Sequence, residues 1–311
     1  MNYDSIIIGG GVSGMMTAIY AARNNKNVCI VEHEDRIGKK ILSTGNGKCN
    51  LTNMTISKDM YYTGSKGDFY PVIETFSPQD IINFFRSIGV LTINKNGYIY
   101  PRSEQASMVL DALRNELYRL NVKIYTDAKN AVITHTDKFN VKFGNESLNS
   151  SKLVLACGSK CAPKTGSDGS GYKFAQNLGH SIIRVIPALV QLICNENFYK
   201  ELQGVRCNAL IKVMTDNNVL AVEEGELQLT GYGISGIPVF QISRVVKRLI
   251  DKGNRPCVSI DFVKEYTHRE LKEFLTTIIH THADMEINMA ISGILNKKLA
   301  NVIIKECNIK P

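Results

Sequence analysis

The chain has no Ser-His-Asp set, no HExxH helix and no Walker loop. Triad hydrolysis, zincin-type proteolysis and P-loop nucleotide chemistry therefore lack the residues they require. It also has no internal repeat, no low-complexity tract and no dense run of Lys and Arg interleaved with aromatics. Its 37 basic and 29 acidic residues leave a net charge of +8, with the lysines scattered. That balance suits an anionic cofactor or substrate; nucleic-acid binding, motivated by the net charge alone, is the remote alternative, and no nucleic-acid partner is expected. The apolar fraction of 44% and charged fraction of 21% are those of an ordinary globular protein. At 311 residues the chain can bury a sizeable core, and two or three domains are expected.

Metal ligands and membrane spans are equally scarce. Cys157 and Cys161 lie four apart, but no second close pair completes a zinc site. His280 and His282, two apart, do not share a helix face. No metal is expected, and the eight cysteines read as reduced thiols, Cys29 and Cys157 as small apolar residues. Ser5 to Ala22 is uncharged over 18 residues, yet Asp4 precedes it and four glycines interrupt it. It reads as strand, turn and helix rather than as a signal peptide or span, so a cytoplasmic protein without membrane contact is expected.

That same segment is the most informative in the chain. Ser5-Ile6-Ile7-Ile8 is a buried strand, and Gly9, Gly11 and Gly14 form a G-x-G-x-x-G before an apolar helix over Met15 to Arg23. Gly9 permits the turn, Gly11 leaves backbone open to a pyrophosphate, and Gly14 lets the helix lie close to the strand. Val12 and Ser13 begin the helix, whose free amides and dipole attract phosphate. Asn27 to Val31 is a second strand ending at Glu32, 23 positions after Gly9, where a carboxylate accepts two ribose hydroxyls. A 2′-phosphate would be repelled there, which favours FAD or NAD over NADP.

Further along, Ser77 and Pro78 open a helix that Gly89 ends, with Ile81, Phe84, Phe85 and Ile88 on one face. Asn96-Gly97 turns a hairpin between Leu91–Ile93 and Tyr98–Tyr100. Ser103 is expected to cap the next helix, whose stripe is Ala106, Val109, Leu110, Leu113 and Leu117. Short strands follow at 122–125, 131–135 and 139–143, then Lys152 to Ala156 as a buried parallel strand. The fold class is α/β. Residues 1–185 form a Rossmann-like dinucleotide domain, 186–264 an inserted β-rich domain and 265–311 a helical segment. Strands are expected at 189–193, 209–214, 219–222 and 225–229. From Thr267 the pattern is helical, with Leu271, Phe274, Leu275 and Ile278 on one face.

Arg36 to Asn53 contains a second glycine-rich stretch, with Lys40 leading into Ser43-Thr44-Gly45-Asn46-Gly47-Lys48-Cys49-Asn50. Its many backbone donors suit phosphate or a flavin edge. Together with Gly9–Gly14, Ala156–His180 and Gly225–Ser243, this stretch makes the chain resemble the BaiN-like family of NAD(P)/FAD-dependent oxidoreductases, which includes aminoacetone oxidases. The resemblance implies FAD on Gly9, Gly11, Gly14 and Glu32, with Ser43, Gly45, Asn46, Gly47, Cys49 and Asn50 lining the flavin side. It also brings the backbone of Ala156 and Gly158 close to the dinucleotide. It implies hydride passing between NAD(P)H, flavin and a small organic substrate.

Members of that family continue beyond the position of Pro311, returning to the FAD domain with a late strand and a glycine-rich acidic turn. The alternative expectation is accordingly an incomplete or non-catalytic dinucleotide-binding fragment. Many relatives carry His or Asp where this chain has Gly231, so no proton-transfer role falls there. Acid–base candidates are few. Tyr232, in the Thr230–Gly236 turn, could approach a substrate carbonyl or simply pack, and Cys49 is either a redox thiol or structural. His180 reads as structural. The Thr165–Gly171 turn serves cofactor, substrate or structure alone. Oligomeric state has no signature.

Overall fold

The isoleucine run at the N-terminus becomes the middle of a sheet. In the computed structural model, which describes residues 1–43, 47–62, 67–282 and 285–309, the chain forms two units, Met1–Ile183 and Arg184–Pro311. In the first, the chain runs through β1 (Asn2–Ile8), α1 (Val12–Arg23), β2 (Val28–Val31), α2 (Lys39–Leu42) and β3 (Thr52–Asn53). Helices α3 (Tyr70–Glu74) and α4 (Pro78–Ser87) lead to β4 (Thr92–Lys95), β5 (Tyr98–Pro101) and α5 (Ala106–Arg119). Then come β6 (Lys123–Tyr125), β7 (Val132–His135), β8 (Phe139–Phe143), β9 (Glu146–Leu155) and α6 (Ser170–Asn177).

The main sheet has the order β6-β2-β1-β9-β8-β7, parallel from β6 to β9 and antiparallel beyond. This is the expected α/β architecture. Strand periodicity sorts the two cores: Ile7 and Ile30 pack with Met15, Ile19, Leu110, Leu113 and Leu117 on the α1–α5 side. Ile6, Ile8, Cys29 and Val31 face Tyr125, Val141, Phe143 and Leu148, with Phe174 of α6 packed against them. Burial pushes the Cys29 thiol up to about 12, which makes it an inert packing group.

Two local signals are realised and one is not. Ser77 accepts from the Asp80 amide while Asp80 accepts from the Ser77 amide, a reciprocal cap on α4. Asn96 and Gly97 both take positive φ, 53° and 92°, as a tight hairpin turn demands. Ser103 does not cap α5: Glu104 takes φ 53° and Gln105 is the cap residue, without a side-chain bond. Glu104 is instead held by Lys48 and Lys95.

α1 and α5 are tied by charge as well as by packing. Glu116, on α5 and 6% exposed, accepts from Arg23 at 2.6 and 2.9 Å and from Arg119 at 2.7 and 2.8 Å. Against the pull of burial, Arg119 and Arg23 hold its carboxyl down to about 2. The folded carboxyl titrates below its ordinary value, so the stabilisation is present above about pH 4.5 and is lost as pH falls towards 2. Because Arg119 is 65% exposed, only part of that shift counts as stability. Glu116→Gln should cost about 1–2 kcal/mol at pH 7, a gap that narrows below pH 4.5 in urea titrations. A gap constant with pH would contradict this.

In the second unit, β10 (Leu192–Ile193), β11 (Arg206–Thr215), β12 (Asn218–Thr230), β13 (Gly233–Ser235) and β14 (Cys257–Asp261) form an antiparallel sheet ordered β10-β13-β12-β11-β14. α7 (Ile237–Asp251) lies on it, Val239, Ile242 and Val246 meeting Ile211, Leu227 and Leu229. α8 (His268–Thr281), capped by Thr267, buries no residue fully, while α9 (Ile287–Ser292) leads to α10 (Lys297–Glu306), whose Leu299 and Val302 join the same core. Of the helices after Thr267, α10 thus contributes buried residues to the core of the β-rich unit. Among the described residues no helix is long and apolar enough to cross a membrane.

Candidate functional site

At the carboxyl ends of β1, β2 and β9 lies a cleft of about 580 Å³. Gly9, Gly11, Val12 and Ser13 form its floor; Gly9, at φ 105°, would put a Cβ 2.6 Å from the Ala156 carbonyl. Gly14 is beneath the floor, where a Cβ would lie 1.9 Å from the Gly9 oxygen, so it sets the helix-to-strand distance. Gly11 is different: no atom lies within 4 Å of where its Cβ would be. α1 has no side-chain cap and no acidic residue in its first turn. Its first amides and dipole therefore face the cleft without an internal acceptor.

Glu32 forms one wall. It is 9% exposed; one carboxylate oxygen accepts from the Gly10 amide at 2.7 Å and the other from the Glu34 amide at 2.9 Å. Each oxygen keeps a lone pair for a further donor. His33, Glu34, Arg36 and Lys39 continue that wall, and Lys129, Asn130 and Ala131 add to the lining after β6. Opposite, Lys40 donates to the Ser167 hydroxyl at 2.9 Å, and a Cβ on Gly158 would meet both groups. Asp168 lines the cleft too. Burial opposes its ionisation, but the Ser170 amide and hydroxyl and the nearby His33 hold its carboxyl below the usual range. The Cys157 thiol is pushed up to about 11 by burial and then by the Glu32 and Asp168 charges, so it is no nucleophile at neutral pH.

The structure brings together Gly9, Gly11, Val12, Ser13, Glu32, Lys40, Ala156 and Gly158 around one cleft. It does not bring Ser43, Gly47, Cys49 or Asn50 to its lining. Ser43 is the C-cap residue of α2, and Gly47 lies in open space at φ 66°. Cys49 packs against the α1–α5 core, its thiol raised by burial. Asn50 donates its amide to the Thr52 and Ile99 carbonyls, holding its loop to β5. Gly45 and Asn46 lie outside the described residues. Tyr232 belongs to the second unit, its hydroxyl bonded to the Gln191 side-chain oxygen. Arg36, Lys129 and Lys173 were not singled out from the sequence; only the tight turn at Asp127 and Asn130, both at positive φ, marks that stretch locally.

The family model for the HI0933-like protein Rossmann domain matches residues 3–305. The chain is 38% identical over 307 residues to the 3-dehydro-bile acid delta(4,6)-reductase of Clostridium scindens, covering 98% of this chain and 75% of that protein. It is 27% identical to the ribosomal RNA dihydrouridine synthase of Escherichia coli, over 78% of this chain and 60% of that one. A solved structure, the 3-ketosteroid-delta4-(5alpha)-dehydrogenase of Rhodococcus jostii RHA1, is similar with a TM-score of 0.45 and 15% identity, over 67% of this chain and 60% of that one. The class that the family model and the 38% identical reductase define is that of FAD-dependent oxidoreductases. The chain belongs to the HI0933-like Rossmann-domain family.

Proposed function

We propose that the cleft holds FAD and that the chain is an FAD-dependent reductase, passing hydride from NAD(P)H to a small organic acceptor. The observation that carries this is the juxtaposition of an uncapped helix start, with clear space over Gly11, and a buried carboxylate with lone pairs free. The two features match the two polar halves of an adenine dinucleotide: an anionic pyrophosphate and a ribose diol.

In this reading the Val12 and Ser13 amides would take the pyrophosphate, and Glu32 would take the ribose hydroxyls. Its negative charge selects against a 2′-phosphate. Lys40, anchored by Ser167, adds positive charge across the cleft, while Ala156 and Gly158 let backbone approach closely. The resemblance to the flavoenzyme family assigns the flavin side to Ser43, Gly45, Asn46, Gly47, Cys49 and Asn50, with Asn50 acting by securing its loop. FAD, when bound, accepts a hydride from a reduced nicotinamide and delivers it to the acceptor. The similarity to a reductase of a small molecule supports the reductive direction. A cytoplasmic, reducing setting fits the eight free cysteines.

Anaerobic mixing of the FAD-loaded protein with NADH or NADPH tests the electron donor. The flavin absorbance should bleach with at least one of them. If dithionite bleaches the flavin and neither nicotinamide does, the NAD(P)H-linked reading fails.

A further inference from the structure

The wall that carries Glu32 also places a histidine among carboxylates. His33 is partly buried on the cleft, and its Nε2 lies 3.4 Å from Glu34 Oε1 and 3.9 Å from Glu32 Oε1. Asp168, on the loop before α6, feels the imidazole's charge as well. That loop rests against the ring, since a Cβ on Gly166 would lie 3.1 Å from Nε2. The other charged groups nearby are engaged elsewhere or exposed. Lys39 of α2 pairs with Glu34 Oε2 and with Asp35. Arg36, Asp127 and Lys129 are exposed, the last two on the segment after β6 whose amides donate to the Glu32 and Glu34 carbonyls.

The acceptor positions on Glu32 are limited. Oε2 is committed to the Gly10 amide and Oε1 to the Glu34 amide, which leaves one position on each oxygen. A ribose diol uses both. An imidazolium uses the one on Oε1, and His33 is already within ion-pair range of it. With Glu34 Oε2 taken by Lys39, the imidazolium charge would be shared by Oε1 of Glu32 and Oε1 of Glu34. Neutralised there, it adds little attraction for an anion at the start of α1. The competition for Glu32 therefore decides the sign.

We infer that His33 is a proton switch on the cofactor cleft: once protonated it takes the Glu32 Oε1 acceptor that a ribose hydroxyl uses, and FAD is held more weakly. The inference rests on the FAD reading above for its ligand, while the competition for Glu32 applies to any adenine nucleotide with a free ribose diol. Affinity is full above the range in which imidazoles change charge, about pH 5–8, and falls as pH drops through it. The coupling is reciprocal, so binding of the ribose drives a proton off His33.

Fluorescence titration of the flavin-free full chain with FAD at about pH 8 and about pH 5.5 tests this, with folding checked by circular dichroism. Affinity should fall roughly tenfold at the lower pH, the loss of one hydrogen bond. His33→Gln should flatten the dependence, and His33→Lys, charged throughout, should bind weakly at both. ADP and 2′-deoxy-ADP, whose phosphates titrate alike, read the same competition without the flavin. The wild type should prefer ADP at the higher pH and lose most of that preference at the lower. The inference is overturned if FAD affinity is constant or rises as pH falls, or if His33→Gln keeps the dependence. It is also overturned if His33→Lys binds FAD more tightly than the wild type, or if the ADP preference ignores pH. If ADP behaves as stated while FAD is taken up at neither pH, the cofactor reading fails and the switch stands. A chain that binds neither nucleotide overturns both.

Discussion

Gly11→Ala should leave the apoprotein folded and weaken FAD about 100-fold or more, whereas Gly14→Ala should unfold or severely destabilise the first unit. The two glycines are three residues apart in one motif, yet they meet opposite surroundings. A methyl on Gly11 enters empty space beside the first-turn amides. It costs the helix start about 1 kcal/mol or less, but it stands where a pyrophosphate would approach. Losing two charge-assisted amide bonds at roughly 1.5 kcal/mol each gives the 100-fold figure. A methyl on Gly14 would lie 1.9 Å from the Gly9 carbonyl oxygen, with the Ile7 side chain also in contact. Helix and strand must separate, at a cost of about 3 kcal/mol or more. Thermal unfolding of both apoproteins, followed by flavin fluorescence titration of the folded one, checks the pair. Equal Tm losses, or undiminished FAD binding by Gly11→Ala, would contradict the account.

Glu32→Ala should be the most damaging single change on the cleft wall. It strips acceptors from the Gly10 and Glu34 amides, costing about 2 kcal/mol after water re-enters the open side. It also removes the anionic partner proposed for the ribose, so FAD affinity should fall by about 100-fold or more. Glu32→Gln should lie between, since its amide keeps one oxygen acceptor and turns its NH2 towards a backbone donor. A stability loss in both variants with FAD affinity unchanged would assign Glu32 to structure alone.

The cleft's floor was legible because its requirements are local. Gly14 answers to Gly9 and Ile7 within the same strand–turn–helix, and Glu32 follows the next strand in sequence, although the Ala156 carbonyl that leaves no room for a Cβ at Gly9 comes from the end of β9. The same holds for the Ser77–Asp80 cap and the Asn96-Gly97 turn. Of the remaining walls, Lys40, Ala156 and Gly158 were legible and the rest of the basic lining was not. Lys129 and Lys173 reach the cleft through the placement of β6 and α6 around the sheet, which no short window encodes.

α7 escaped the sequence reading for a related reason. Its buried face is built from Val239, Ile242 and Val246, β-branched residues with modest helix propensity, and packing on the sheet decides the outcome. β12 reads as two short strands at 219–222 and 225–229. Continuous pairing with β11 carries one strand through Glu223 and Glu224. Asn50 shows the converse: its polar character was visible, but one of the two carbonyls that consume its amide, that of Ile99, belongs to a hairpin formed some fifty residues of chain later.

The central claim is that this cleft binds FAD. It is tested most directly by purifying the chain, releasing its flavin and quantifying it against protein, with reconstitution by added FAD where the preparation is colourless. The account predicts one FAD per chain. A folded protein that carries no flavin and takes none up would contradict it.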